Sequence, residues 1–133
     1  MSSETRVPIA SGVDIVTARQ KGRSMALELG FDGADVTLIA AAISEVSRNI
    51  VEYAKRGEIV LRPVHQSAKH GLCVVARDEG PGIPDVARAM QYGYSTAQGL
   101  GVGLPGAKWL MDEFDIESTV GVGTTVTMKK WSH

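Results

Sequence analysis

Apolar positions in this chain recur at two different periods, and the switches between them mark its elements. Val7 and Ile9 alternate with polar or turn residues and predict a short first strand. Ser11 can cap a helix, with Asp14 in its first turn. Ile15, Ala18, Gly22, Met25, Ala26 and Leu29 then follow at helical spacing until Gly30. This predicts a first helix over Val13 to Leu29. A second begins at Asp32 with the stripe Val36, Ile39, Ala40, Ile43, Ser47, Ile50 and Ala54, runs to about Lys55 and ends at Gly57. The period then shortens. Ile59 to Val64 and Leu72 to Arg77 predict two strands joined by a polar hairpin loop, Gln66 to Gly71. Pro63 places part of the first at an edge, whereas the unbroken apolar run of the second predicts a central strand covered on both faces.

Beyond the second strand comes a mixed segment, Ile83 to Gln98, with a short helix expected over Asp85 to Tyr92. Gly103 to Glu113 predicts a helix, with Pro105 tolerated in its first turn. Phe114, Ile116, Ser118 and Val120 alternate, Gly121-Val122-Gly123 turns, and Thr125 to Lys130 returns as the last strand. The element order is strand, two helices, two strands, a mixed segment, a helix and two strands. It predicts one α/β domain over residues 1–133, a two-layer sandwich built on a mixed sheet.

Composition narrows the class of function. A net charge of −1 over 133 residues gives no electrostatic reason to expect nucleic acid or an anionic membrane as partner. No apolar run approaches the roughly 20 residues that span a bilayer. The polar start, Met1 to Arg6, has no signal-peptide core, and Cys73, the single cysteine, sits within an apolar run. A reducing compartment, the cytoplasm, is therefore expected, with Cys73 buried and inert. His65, His70 and His133 have no metal-ligand spacing and are expected at the surface.

The candidate chemistry lies between Asp78 and Leu104. Seven of the 15 glycines fall between Gly80 and Gly106. Glycine has the most backbone freedom to lose on folding, so such a density indicates close approach to bare backbone, and phosphate is the usual visitor. Upstream, Glu45 and Asn49 stand four residues apart on the second helix, nearly opposite its apolar stripe, with Ala41 and Ala42 beside them. An amide oxygen suits magnesium and a carboxylate can accept a proton, although both could equally be solvated helix residues. Asp78 ends a buried strand and opens Asp-Glu-Gly-Pro-Gly. It reads as a plain turn or as an acceptor for the exocyclic amino group of adenine, with Gly80 and Gly82 leaving room for base and ribose. Gly121 to Thr125 is a hairpin turn whose threonines could donate to the same pocket. Gly101 to Gly106 matches G-x-G-x-x-G without the preceding strand or the later acidic residue of a dinucleotide site, and no Walker loop occurs.

In sequence order, Glu45-x-x-x-Asn49, Asp78-x-Gly80-x-Gly82, Gly99-x-Gly101-x-Gly103 and Gly121-x-Gly123-Thr124 resemble the four boxes of the GHKL ATP-binding superfamily. That resemblance implies the Bergerat fold: a mixed sheet with helices on one face and ATP under a lid, here Pro84 to Gln98. Within the superfamily the chain is most similar to the small bacterial serine/threonine kinases of partner-switching systems, in particular the stressosome-associated type. The likeness extends through Asp14 to Gln20, Asp78 to Pro84 and Gly101 to Phe114. It implies Glu45 as catalytic base and Asn49 as ligand of Mg2+. It also implies nucleotide contacts at Asp78, Gly80, Gly82, Ile83, Gly99, Gly101, Val102, Gly103, Leu104 and Thr124. The implied substrates are STAS-domain proteins, and the implied later partner is a PP2C-type phosphatase or a nucleotide cyclase. An anti-sigma-factor kinase is the near neighbour, and a nucleotide-gated binding module without transfer activity is the rival of another class.

Overall fold

A computed structural model describes residues 4–83, 86–90 and 103–132. Strand β1 (Thr5–Ile9) leads into helices α1 (Gly12–Glu28) and α2 (Gly33–Asn49), followed by a wider helical turn over Ile50–Ala54. Strands β2 (Gly57–Gln66) and β3 (Lys69–Asp78) form a hairpin. The short helix α3 (Val86–Ala89), helix α4 (Gly103–Leu110) and strands β4 (Glu113–Thr119) and β5 (Gly123–Trp131) complete the described chain. The five strands lie in the order β1-β2-β3-β5-β4.

Local chemistry explains the helix ends. The Asp14 carboxylate accepts the backbone N–H groups of Ala10 and Ser11, satisfying donors at the start of α1. At the other end, Gly30 adopts φ +87°, Phe31 N–H donates to the Ala26 carbonyl and Gly30 N–H to that of Leu27. This is the left-handed glycine stop expected there. Asp32 caps α2 by accepting the Asp35 N–H at 2.8 Å.

Both strands of the first hairpin are longer than expected, and its loop shrinks to Ser67-Ala68, with Ser67 at φ +56°. Pairing continues through His65↔His70 and Gln66↔Lys69, polar pairs that an apolar pattern does not register. Pro63 lies beyond Leu61, the last β2 residue that pairs with the described part of β1, so its missing N–H costs no ladder bond there.

The two-layer architecture is the expected one, but every strand pairing is antiparallel rather than mixed. Two helices separate β1 from β2, so the chain re-enters the sheet running the opposite way. β4 runs in the direction of β3, and β5 is inserted between them. No parallel neighbours result.

One face of the sheet and the helices bury a common core that includes Ile9, Ile59, Leu61, Leu72, Val74, Val126 and Met128 from strands and Ile39, Ile43, Val46 and Leu104 from helices. On the opposite face Val60, Cys73 and Val75 form a small second cluster. β3 is therefore buried on both sides, as its sequence predicts. Burial pushes the Cys73 thiol above its ordinary range, which keeps it protonated and unreactive. His70 departs from expectation. It is half-buried, and its Nε2–H donates to the Leu29 carbonyl at 3.0 Å, joining β3 to the end of α1. No described helix is long and apolar enough to cross a membrane.

Candidate functional site

Helix α2 is buried on more than its predicted stripe. Ala42, Ser44 and Val46 are buried as well, because α4 packs on one flank of α2 and α1 on the other. The Glu45 side chain, only 13% exposed, reaches the start of α4, and its Oε1 accepts the Gly103 N–H at 2.9 Å. Its Oε2 accepts from Arg48 at 2.9 Å, an i to i+3 pair that the sequence reading did not single out. Two of the sequence boxes thus meet through a single hydrogen bond spanning 58 residues. Asn49, half-buried, is the last residue of α2, one turn beyond Glu45 on the same side. The helix widens immediately after it, a distortion often found at functional sites, and Lys55 at φ +75° ends it.

The other two boxes meet at the end of the sheet. Asp78 pairs with Thr124 across β3 and β5, and both side chains share the helix-covered face with Ala76 and Val126. Asp78 Oδ1 accepts the Gly80 N–H at 2.9 Å and the Thr124 N–H at 3.2 Å. Among the described residues its Oδ2 has no hydrogen-bond partner, so one carboxylate oxygen is held and the other can accept from a ligand. Ile83, at the start of the expected lid, donates its N–H to Ser118 Oγ at 2.7 Å. That serine also meets Thr124 Oγ1 at 2.8 Å and the Gly123 carbonyl at 3.3 Å. The sequence reading gave Ser118 no role, although a polar residue at an inward position after Phe114 and Ile116 was the available signal. Leu104 is buried in the core. Gly99, Gly101 and Val102 lie outside the described residues, as does most of the Pro84 to Gln98 lid. Of the short helix expected over Asp85 to Tyr92, Val86–Ala89 is helical.

The glycines answer to protein neighbours rather than to an empty pocket. A Cβ on Gly80 would stand 2.5 Å from that of Ala54, the last residue of the widened turn. On Gly82, at φ +77°, it would run into the Thr119 carbonyl, and on Gly123 into that of Asp78. Gly80 and Gly82 thus each have a protein neighbour where a Cβ would stand. Their bare Cα atoms let the Asp78 loop press against the end of α2 and the β4–β5 turn, which is how Asp78 is brought to its position.

A polar cleft of about 770 Å³ opens on the other, helix-free face at this end of the sheet. Arg6 and Arg77 line it and both pair with Glu58, so its cations are largely compensated. It shares Asp78, Gly123 and Thr124 with the site on the helix side and also reaches Ala54 and Thr119, the neighbours of Gly80 and Gly82.

The donor set on the helix side fits an adenine nucleotide. It combines an available carboxylate oxygen at Asp78 with the N-terminus of α4, where Gly103 N–H is given to Glu45 and the dipole and the N–H groups that follow favour negative charge. Among the described residues no cluster of three His, Cys, Asp or Glu side chains could hold a metal by itself. A magnesium ion held largely by phosphate oxygens and water needs no such cluster, and the amide of Asn49 is a suitable hard ligand.

Residues 10–130 match the model of the histidine kinase-like ATPase domain family. The chain is 49% identical over 131 residues to the serine/threonine-protein kinase RsbT of Bacillus subtilis, covering 98% of both. It is 36% identical over 103 residues to the anti-sigma F factor of Caldanaerobacter subterraneus, covering 73% of this chain and 71% of that one. Among solved structures, that of the RsbU and RsbW domains of a Mycobacterium tuberculosis protein superposes with a TM-score of 0.63 at 24% identity. It covers the whole of this chain and 33% of the longer one, a likeness of fold.

Proposed function

From the premise that the chain belongs to the histidine kinase-like ATPase domain family and is a GHKL-type serine/threonine-protein kinase, we propose how its residues divide the work. Glu45 is the base, accepting the proton of the substrate hydroxyl through the carboxylate held between Gly103 and Arg48. Asn49 is the protein ligand of Mg2+. Asp78 receives the adenine amino group on its available oxygen, and the N-terminus of α4 with the glycines before it receives the phosphates. Ile83 and Thr124 border the base, and Gly80, Gly82 and Gly123 hold that border in shape. ATP supplies the phosphoryl group, and a magnesium ion held at Asn49 would supply positive charge to offset the charge developing on it. The remaining catalysis is positioning. The observation that carries this reading is the Glu45–Gly103 hydrogen bond, which sets a base against the glycine-flanked start of a helix.

The substrates in this reading are serine or threonine residues of STAS-domain stressosome scaffold proteins in the cytoplasm. Once released from them, the kinase binds and activates a downstream PP2C-type phosphatase or cyclase. Identity to RsbT over nearly the whole chain supports this over the alternative of an anti-sigma-factor kinase, for which the similarity to anti-sigma F factors is weaker and shorter. The deciding experiment is transfer of radiolabel from ATP to candidate STAS proteins, with and without magnesium. Label on a STAS serine or threonine is the expected result. Formation of a sigma-factor complex without STAS labelling would favour the alternative, and nucleotide binding without any transfer would leave only a binding module.

A further inference from the structure

A glutamate side chain ends in a broad, roughly two-fold torsion. The hydrogen bond from Gly103 N–H therefore fixes Glu45 Oε1 and by itself leaves Oε2 able to swing. Arg48 removes that freedom. It lies three residues on from Glu45, on the same side of α2, and its Nη1 donates to Oε2 at 2.9 Å. The carboxylate is thus held from two elements, by the backbone at the start of α4 and by a side chain of α2. An ionised carboxylate offers about four lone-pair positions. These contacts use one on each oxygen, and a hydroxyl proton can still reach the rest. Stability alone does not account for the pair. Ion pairs at this spacing on a helix surface contribute little, and the Arg48 side chain is 34% exposed. The end of the pair that is held in a sheltered place is the carboxylate.

We infer that Arg48 is a positioning residue for phosphoryl transfer, fixing the Glu45 carboxylate in the orientation that meets the substrate hydroxyl. The inference rests on the reading of Glu45 as the base and deepens it. In the step it serves, the serine or threonine oxygen bonds to the γ-phosphorus. The bond from that phosphorus to the β–γ bridging oxygen breaks, its electron pair leaves on ADP, and the hydroxyl proton passes to Glu45. Arg48 takes no proton in this step; it orients the group that does.

The experiment is steady-state transfer of radiolabel from ATP, magnesium present, to the STAS protein that the parent labels. It compares the full-length parent, Arg48→Met, Arg48→Lys, Glu45→Gln and Arg48→Met combined with Glu45→Gln. Methionine keeps an unbranched stem and a similar helix preference but has no charged donor. Arg48→Met is expected to lower kcat about 10- to 100-fold, as for a displaced reacting group, with KM for ATP and the melting temperature little changed. Arg48→Lys, which keeps a charged donor, should recover most of that loss. In the Glu45→Gln background, Arg48→Met should cost no further transfer. With Glu45→Gln impaired, an unchanged kcat in Arg48→Met, a loss carried by KM for ATP, or a lysine variant as slow as the methionine one overturns the inference and leaves the base reading standing. The same fold-loss in both backgrounds also overturns it, since Arg48 would then act on the phosphoryl group rather than through Glu45. Transfer by Glu45→Gln at the parent's rate, or no STAS protein labelled by the parent, overturns the base reading and the inference with it. Should Arg48→Met not fold, Arg48→Gln takes its place with the same outcomes.

Discussion

Replacing Glu45 separates two jobs that the structure assigns to one side chain. The carboxylate accepts the Gly103 N–H on one oxygen and pairs with Arg48 on the other. Glu45→Gln keeps an amide oxygen that can still accept from Gly103 and removes the basicity. Glu45→Ala removes both. Loss of a general base lowers transfer by roughly 10²–10⁴, about 3–5 kcal/mol in the barrier at 1.36 kcal/mol per decade. Both variants should show that loss. Only the alanine variant should also lose stability, because it leaves the Gly103 N–H and the Arg48 guanidinium without this partner in a site that is 13% exposed at Glu45. A hydrogen bond to a charged group is worth about 1.5–3 kcal/mol, and partial exposure of Arg48 places the effect near the lower figure. For a chain of this size that corresponds to a melting temperature lower by about 5 °C. The assays are radiolabel transfer at saturating ATP and thermal melting without nucleotide. Transfer by Glu45→Gln within a few-fold of the parent would refute the base assignment. Equal melting of the alanine and glutamine variants would refute the anchoring role.

Three further outcomes follow from particular contacts. Gly82→Ala should lower stability by roughly 2–4 kcal/mol, since φ +77° disfavours an L side chain and its Cβ would meet the Thr119 backbone; chemical denaturation measures it, and a change below about 0.5 kcal/mol would refute it. Ser47→Ala should stabilise by about 1 kcal/mol, because its fully buried Oγ has no hydrogen-bond partner among the described residues; a lower melting temperature would show that the hydroxyl is satisfied. Burial raises the pKa of Glu52, Arg48 lowers it and Glu45 raises it further, with a net rise. The folded state therefore holds the Glu52 proton more tightly than the unfolded chain, and this contribution to stability is lost as pH rises through the ordinary carboxylate range to the raised value. Glu52→Gln should accordingly raise the melting temperature at pH 7 and leave it unchanged at pH 3.5; a gain at both would reject the titration account.

Much of the site was legible because glycine and the acidic or amide residues at fixed offsets form a local pattern. Glu45, Asn49, Asp78 and Gly123 could be singled out without knowing where the chain turns. Helix ends were equally readable, since Asp14, Gly30 and Asp32 act within a few residues of themselves. What escaped the sequence was everything settled by a distant partner. His70 looks like a loop residue until the Leu29 carbonyl, 41 positions away, appears opposite its ring. The hairpin strands lengthen through His65 and Gln66 because backbone pairing is indifferent to side-chain polarity. Ser118 reads as one more residue of an alternating strand until Ile83 and Thr124 close on it from either side.

The glycines show how one residue type can serve the packing of a site as well as its openness. Dense glycine indicates close approach to bare backbone, and at Gly80, Gly82 and Gly123 the place of the missing Cβ is taken by Ala54, Thr119 and Asp78. These contacts join the end of α2, the start of the lid segment and the β4–β5 turn around a single carboxylate. A site built this way depends on close backbone contact more than on any one ligand-facing atom. Substitution at a glycine should therefore impair nucleotide binding by displacing Asp78, whereas substitution at Asp78 should impair it with the backbone unmoved. Thermal melting separates the two: the glycine variants lose stability along with affinity, and Asp78→Asn, which keeps an oxygen for the N–H groups of Gly80 and Thr124, loses affinity with a much smaller change in stability.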